Sequence, residues 1–450
     1  MNNYIYQNII ITMSKIKLNA KQQEALRKMT RGENLFLTGM AGSGKSEVIR
    51  TFYQMYKDSR VMAVTSMTGA SAILLNGTTL HSYLGIGLGT NSTESLITTI
   101  KKKRYLKERW IKLQTLIIDE VSLKSVELFN KLNMVAKSVR NRFFLPFGGI
   151  QLILSGDFLQ LPVIGDDHFC FESEAWQECI GDNIIELTEN MRQGDPLFQQ
   201  VLSQIRIGNV EEGDVKEILN KRIGMELKND LGIKPTKLYS HNIDVDEINR
   251  KELNKLIEET GIEYEYNLEF TIYPNKFENI MEKYAKYCRV PTILKLTLGA
   301  QVMLLYNMDI ENKLVNGSRG VVINFLDDLP VVRFLNGDER IIDYHIWEIE
   351  ENDKKIASYS QVPLTLGYAY SIHKTMGVTL DYVEVDLGKI FTYGMAYVAL
   401  SRVRTLEGLS IKEIDYNKIK AHPVAKEFYL KLRQKPISES KEETGGETEK

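Results

Sequence analysis

The sequence predicts an α/β protein: parallel strands in the first half, a small β insert in the second, then a return to α/β. Three observations carry that prediction. Gly39 to Ser46 fits G-x-x-x-x-G-K-[ST] without a mismatch, between an apolar run and a stretch free of Gly and Pro. Four apolar runs in the first half each end on polar or small residues. From Leu296 to Glu350 the pattern changes to short strands separated by tight turns.

The elements follow in order. Residues Asn34 to Thr38 read as a buried parallel strand, and Glu47 to Tyr56 as the helix after the glycine loop. The runs starting at Leu35, Val61, Leu116 and Leu152 end at Thr38-Gly39, Thr65, Asp119-Glu120 and Ser155-Gly156-Asp157. In open α/β sheets ligands bind beyond the carboxyl ends of the strands, so one sheet presents these four endings to one crevice. Residues 84–113, rich in Gly, Thr and Lys, interrupt the strand rhythm and read as a small insertion. Strands are expected at Gln301–Leu305, Gly320–Phe325, Val331–Phe334 and Arg340–Ile342, with hairpin signals at Asn316-Gly317 and Asn336-Gly337. Strands at Tyr368–Ile372 and Tyr382–Val385 and a helix from Thr392 to Val403 restore the α/β pattern. The charged stretch from Lys435 to Lys450 lacks aromatics and is expected to be disordered.

The glycine loop names a ligand. Gly39, Gly42 and Gly44 permit backbone conformations that a Cβ forbids, so the loop Gly39-Met40-Ala41-Gly42-Ser43-Gly44 can turn its N–H groups toward phosphate oxygens. Lys45 adds a positive charge for the β- and γ-phosphates, and the Ser46 hydroxyl can ligate Mg²⁺. The dipole of the following helix favours the same anions. Asp119 is placed to hold Mg²⁺, and Glu120 to orient and deprotonate an attacking water. Gln160 follows the fourth strand, where it can report on the γ-phosphate. Arg192 and Arg402 lie far downstream as guanidinium candidates for charge developing on a transferred phosphoryl.

Composition narrows the class. At 43% hydrophobic and 26% charged the chain reads as an ordinary soluble globular protein. No apolar run approaches the ~18–20 residues of a membrane span, and the start lacks the features of a signal peptide. Cys170, Cys179 and Cys288 have no C-x-x-C spacing, which points to a reducing, intracellular setting. The net charge of −2 gives no global pull toward nucleic acid. The basic run Lys101 to Arg104, with Lys107, Arg109 and Lys112, reads as a solvated helix face or as a strand-contacting patch.

Taken together, these residues resemble a known family, the superfamily 1 helicases of the petite integration frequency (PIF) type, close kin of the RecD helicases. The resemblance runs from about Leu18 to Leu409. It is carried by Leu18–Gln22, Gly39–Ser46, Val64–Gly69, Thr78–Ser82, Asp119–Ser122, Leu128–Leu132, Phe147–Leu152 and Gly156–Pro162, then by Leu314–Gly317, Ser371–Lys374 and Tyr397–Arg402. It implies two tandem RecA-like P-loop domains with ATP between them and a small SH3-like β insert in the second. The implied bounds are an N-terminal extension at 1–17, a first domain at 18–204, a second at 205–295 and 361–434, and the insert at 296–360. By matching positions, Gln22 would read adenine. Lys45, Ser46, Asp119 and Glu120 would serve ATP and Mg²⁺. Gln160 and Arg192 would sense the γ-phosphate, and Arg402 would be the arginine finger. Thr65, Thr79, His81, His373 and Lys374 would lie near the DNA. The implied activity is ATP-driven 5′-to-3′ translocation on single-stranded DNA, with unwinding at duplex junctions, by a monomer that needs no membrane.

Two positions depart from the family pattern. Met376 and Met395 stand where it usually has Gln, and a thioether cannot donate a hydrogen bond. Weakened coupling between nucleotide and strand is therefore expected, with ATPase retained. A DNA-stimulated translocase that barely unwinds, and a RecD-like helicase, are the alternatives. The intact Lys45, Asp119, Glu120, Arg192 and Arg402 argue against a decayed binding module. A small-molecule kinase would leave the strand-side motifs unexplained.

Overall fold

The computed structural model describes residues 18–434 apart from 68–70, 73–74, 76, 88, 164–167, 192–193, 228–231, 241, 274–287, 289, 310–311, 313 and 352–353. The tail beyond 434 and Arg192 thus lie outside the described residues. No helix among the described residues is long and apolar enough to cross a membrane.

The first half builds a six-stranded parallel sheet from β1 (Leu35–Gly39), β2 (Met62–Ser66), β3 (Thr78–Thr79), β4 (Thr115–Asp119), β5 (Gln151–Gly156) and β6 (Ile184–Leu187). Its order is β3-β2-β4-β5-β1-β6. The four expected strand endings do share one edge. Successive side chains face opposite sides of a strand, and both faces here are apolar. Leu35, Leu37, Ile117 and Ile153 pack on one side with α1 (Ala20–Thr30) and α2 (Lys45–Tyr56). Phe36, Leu116, Ile118, Leu152 and Leu154 pack on the other. That second face also holds α3 (Leu80–Leu84), α4 (Thr93–Lys102), α5 (Arg104–Lys112) and α6 (Val126–Arg140). The expected insertion at 84–113 is therefore part of the core, because Leu96, Ile100, Leu106 and Trp110 are buried in it. Its basic run is exposed, with Arg104 paired to Glu108 at 2.8 Å and Lys101 bonded to Ser138 at 3.1 Å.

In the second half, α7 (Pro196–Arg206) leads to β7 (Thr236–Tyr239). The β insert then runs through β8 (Tyr264–Asn267), β9 (Glu269–Ile272), β10 (Ile293–Leu296), β11 (Gln301–Leu304), β12 (Arg319–Leu326), β13 (Leu329–Phe334), β14 (Glu339–Ile341), β15 (His345–Glu351), β16 (Lys354–Gln361) and β17 (Leu364–Leu366). These strands pair antiparallel as β14-β13-β12-β11-β17, β10-β8 and β15-β16-β9. The pairing reaches past 296–360 on both sides, because β9 pairs with β16 and β17 with β11. Gly337 turns the β13–β14 hairpin at φ +90°. The chain returns to a parallel sheet, β18-β7-β19-β20, with β18 (Ala369–Ser371), β19 (Val383–Leu387) and β20 (Leu409–Ile414). It closes with α8 (Met395–Leu400) and α9 (Pro423–Gln434).

Three further expectations are corrected. The helix at 392–403 is only α8, which starts after Gly394 at φ +71° and is capped at Ser401. The boundary at 204 falls inside α7, whose Phe198, Val201, Leu202 and Ile205 pack in the second unit's core. Finally, α9 is not part of the second domain's core: Ala425 and Tyr429 are buried in the first.

Candidate nucleotide site and nucleic-acid groove

The glycine loop leaves β1 and ends on Gly44, which precedes α2 in a left-handed conformation at φ +85°. Glycine is required at both ends. A Cβ on Gly39 would lie 2.3 Å from the Leu187 carbonyl, and one on Gly44 2.4 Å from Nε2 of Gln22. Behind the loop, Asn190 donates to the Ala41 carbonyl at 3.3 Å and Met191 N–H to the Gly42 carbonyl at 2.8 Å. Gln22 is buried there. Its Nε2 donates to the Ser43 carbonyl at 3.2 Å, and its Oε1 caps Asn19 N–H at 3.0 Å. The proposed adenine reader is thus already anchored to the loop and to the start of α1.

Lys45 Nζ donates to the Gly39 and Met40 carbonyls at 2.7 and 3.1 Å. Burial lowers its pKa, against the pull of the Asp157, Glu120 and Asp119 carboxylates that face it. Asp119 ends β4 and is buried, and that burial raises its pKa against the Ser155 hydroxyl beside it. Glu120 follows at φ 52°, a left-handed conformation rare for a side chain with a Cβ. Burial and then the Asp119 charge push Glu120 up to about 7, while Lys45 and Arg402 pull it down. Gln160 is buried in the loop after β5. Ser46 lies in the first turn of α2, half-buried.

The second unit closes the site. Arg402, at the end of α8, is buried, and its charge reaches Glu120. Its Nε donates to the Val398 carbonyl at 3.0 Å, Nη1 to Thr375 at 3.3 Å and Nη2 to Ser401 Oγ at 2.8 Å. Met40 and Ala41 of the loop pack in the second unit's core, and Ala41 N–H donates to the Tyr397 hydroxyl at 2.7 Å. Met376 and Met395 lie in that same core, 5% and 0% exposed, so their thioethers fill apolar space.

The strand-side residues divide. Thr65 does not reach a strand: it is fully buried in β2 and donates its hydroxyl to the Ile117 carbonyl at 2.7 Å. Thr79 caps α3 by accepting from Ser82 N–H at 3.4 Å. His81 is half-buried on α3, its pKa lowered by burial and by the nearby Lys124. The side chain of Lys374 lies outside the described residues. His373 lines a cavity of about 860 Å³ between Leu161–Val163 of the first unit and Lys389–Tyr393, Lys418 and Lys420 of the second. Phe391, 59% exposed, stacks 6.4 Å from His373, and Tyr393 is exposed beside it. Exposed lysines interleaved with exposed aromatic rings suit a sugar-phosphate backbone with unpaired bases.

Residue-by-residue reading of the sequence missed the supporting groups. Asp157 lies inside the Gly156–Pro162 segment, and Tyr397 inside Tyr397–Arg402, so both were in view without a role. Arg206 carries no local signal. Tyr429 is visible only as a polar tip on an apolar helix face.

Comparison with known proteins gives one family. A family model described as PIF1-like helicase matches residues 17–216, and another described as DNA helicase Pif1, 2B domain, matches 285–325. The chain is 36% identical to the ATP-dependent DNA helicase PIF1 of Homo sapiens, over 95% of this chain and 66% of that one. It thus spans about two thirds of that relative's length. The crystal structure of Pif1 helicase from Candida albicans superposes with a TM-score of 0.77 at 37% identity, covering 93% of this chain and all of that one. Pif1 helicase from Bacteroides in complex with ADP-AlF3 and ssDNA superposes at 0.63 and 28%, covering 92% of this chain and 96% of that one.

Proposed function

The chain belongs to the PIF1-like helicase family, and on that premise we propose that it is an ATP-dependent DNA helicase. In this reading it moves 5′-to-3′ on single-stranded DNA as a monomer and opens duplex at junctions. ATP lies between the two RecA-like units, with its phosphates on the loop Gly39 to Gly44 and the N-terminus of α2. Lys45 turns from the Gly39 and Met40 carbonyls to the β- and γ-phosphates. Ser46 in the first turn of α2 and Asp119 at the end of β4 offer a hydroxyl and a carboxylate, a hard-oxygen pair that fits Mg²⁺. Mg²⁺ bound there would neutralise charge on the phosphate oxygens.

Glu120 takes the proton of the attacking water, its basicity raised by burial and by the Asp119 charge against the pull of Lys45 and Arg402. Gln160 and Arg192 contact the γ-phosphate. Arg402 releases its backbone carbonyls and stabilises the charge that develops on the transferred group. Hydrolysis leaves ADP and inorganic phosphate, departure of the phosphate removes that charge, the two units part, and the strand held by His373, Lys374 and the Lys389–Tyr393 loop moves past Thr79 and His81.

The observation that carries this reading is the contact of the second unit with the nucleotide loop, where the Tyr397 hydroxyl accepts from Ala41 N–H at 2.7 Å and Arg402 follows five residues on, so catalysis in this reading depends on closure of the two. The test measures ATP hydrolysis with and without single-stranded DNA in the parent and in Arg402→Ala. DNA should stimulate the parent, and the variant should lose about 10³-fold in kcat while still binding ATP. Undiminished turnover in Arg402→Ala would remove the guanidinium from the site. A second reading, a translocase with weak unwinding, is favoured by the apolar burial of Met376 and Met395, which leaves two positions without a side-chain donor.

A further inference from the structure

Resting on that reading, we infer that Tyr429, Asp157 and Arg206 form the pivot between the two RecA-like units and position the nucleotide-facing loops during hydrolysis. Asp157 is fully buried where β5 ends. Its Oδ1 accepts from Arg206 Nη2 at 2.8 Å, from Leu159 N–H at 3.1 Å and from the Tyr429 hydroxyl at 3.1 Å. Its Oδ2 accepts from Arg206 Nε at 2.9 Å, completing a two-pronged pair.

The Tyr429 hydroxyl is fully used. Its one proton goes to Asp157. Its two lone pairs take Phe158 N–H at 3.2 Å and the Thr38 hydroxyl at 2.5 Å. Thr38 directly precedes the glycine loop, and Phe158 lies two residues before Gln160. One hydroxyl therefore ties the carboxyl ends of adjacent strands β1 and β5, which feed the loop carrying Lys45 and the loop carrying Gln160.

The position in the chain gives this node its mechanical meaning. Arg206 is the last residue of α7, on which the chain enters the second unit. Tyr429 lies on α9, on which the chain comes back. Both crossings are fixed at one buried carboxylate. The Arg206 guanidinium also lies 4.7 Å from the centre of the Tyr429 ring and 3.5 Å from Glu186 of β6, which Arg433 of α9 grips at 2.9 and 2.7 Å. Rotation of one unit against the other must turn about its fixed crossings, so this node transmits it to both loops. A strand end loosened here displaces Lys45 and Gln160 together, and sub-ångström displacement of reacting groups lowers rate more than affinity.

Tyr429→Phe keeps the ring and removes the hydroxyl. DNA-stimulated kcat should fall about tenfold and base pairs opened per ATP should drop, with KM for ATP within about twofold of the parent. Leu430→Ala, on the exposed side of α9, should match the parent. A Tyr429→Phe chain that melts earlier but keeps its kcat and stepping would reduce the node to a structural anchor and overturn the inference. An equal fall in Leu430→Ala would do the same, by tracing the effect to general docking of α9. A parent with no DNA-stimulated hydrolysis would overturn the helicase reading and the pivot with it.

Discussion

Lys124 carries a charge into a place that does not want it. It is fully buried, its Nζ has no hydrogen-bond partner among the described residues, and the nearest compensation is the Phe129 ring at 4.4 Å. Burial lowers its pKa to about 7 from 10.5, and burial pushes the neighbouring Cys170 and Cys179 thiols up to about 12, so neither offers an anion at neutral pH. Below pH 7 both the folded and unfolded chains hold the proton, and the folded state bears the full penalty. Between 7 and 10.5 the unfolded chain binds more protons than the folded one, so stability rises with pH across that window. Lys124→Met should therefore stabilise the chain at pH 6 by roughly 1–4 kcal/mol, since each tenfold loss of proton affinity on folding costs about 1.4 kcal/mol. The gain should shrink toward pH 10. Denaturant unfolding of parent and variant at both pH values checks this, and an equal difference at both would contradict it. Residue types exposed the glycine loop, Asp119 and Glu120, because phosphate and metal chemistry demands those groups at that spacing. They misplaced Thr65, because only the pleat decides that its hydroxyl points into the sheet at Ile117.

Helix α8 connects the two halves of the site. It carries Tyr397 to the glycine loop and leads directly into Arg402, and its approach depends on Gly394. At φ +71° a side chain is strained there, and an added Cβ would stand 2.2 Å from the Gln160 carbonyl. Gly394→Ala should lower stability by at least about 1–2 kcal/mol and cut hydrolysis more than binding, because α8 must retreat from the cleft. Parent-like turnover and urea midpoint in that variant would contradict the account. Strands β1, β2, β4, β5, β18 and β19 were legible as apolar runs, since a parallel sheet covered on both faces needs them, whereas β3, β6, β7 and β20 were not assigned. The destinations of α7 and α9 were not. Apolar spacing on α9 announces a helix, but Phe428 finds the rings of Phe36, Phe158 and Phe171, and Tyr429 the Asp157 carboxylate, only through the tertiary crossing. The β insert was legible from its turns, while its outer strands were not, because the partners of β9 and β17 lie far along the chain.

At the scale of the molecule, the two parallel sheets face one cleft through their carboxyl edges, and the β insert interrupts the second sheet between β7 and β18. The groove of Phe391, Tyr393 and the exposed lysines lies where Leu161–Val163 of one unit meets the other, so closure that brings Arg402 to Glu120 also reshapes the groove. In the proposed cycle, nucleotide state and grip on the strand would be coupled through the same pieces, which is what directional movement requires. The overall architecture was legible once motifs were read together, whereas direction of travel is a property of the whole cycle that no residue displays. It is read by ATP-dependent opening of duplexes bearing either a 5′ or a 3′ single-stranded tail, with Lys45→Ala beside the parent. The account predicts that the parent opens the 5′-tailed duplex and that Lys45→Ala opens neither. Opening only of the 3′-tailed duplex, or opening that survives in Lys45→Ala, would contradict it.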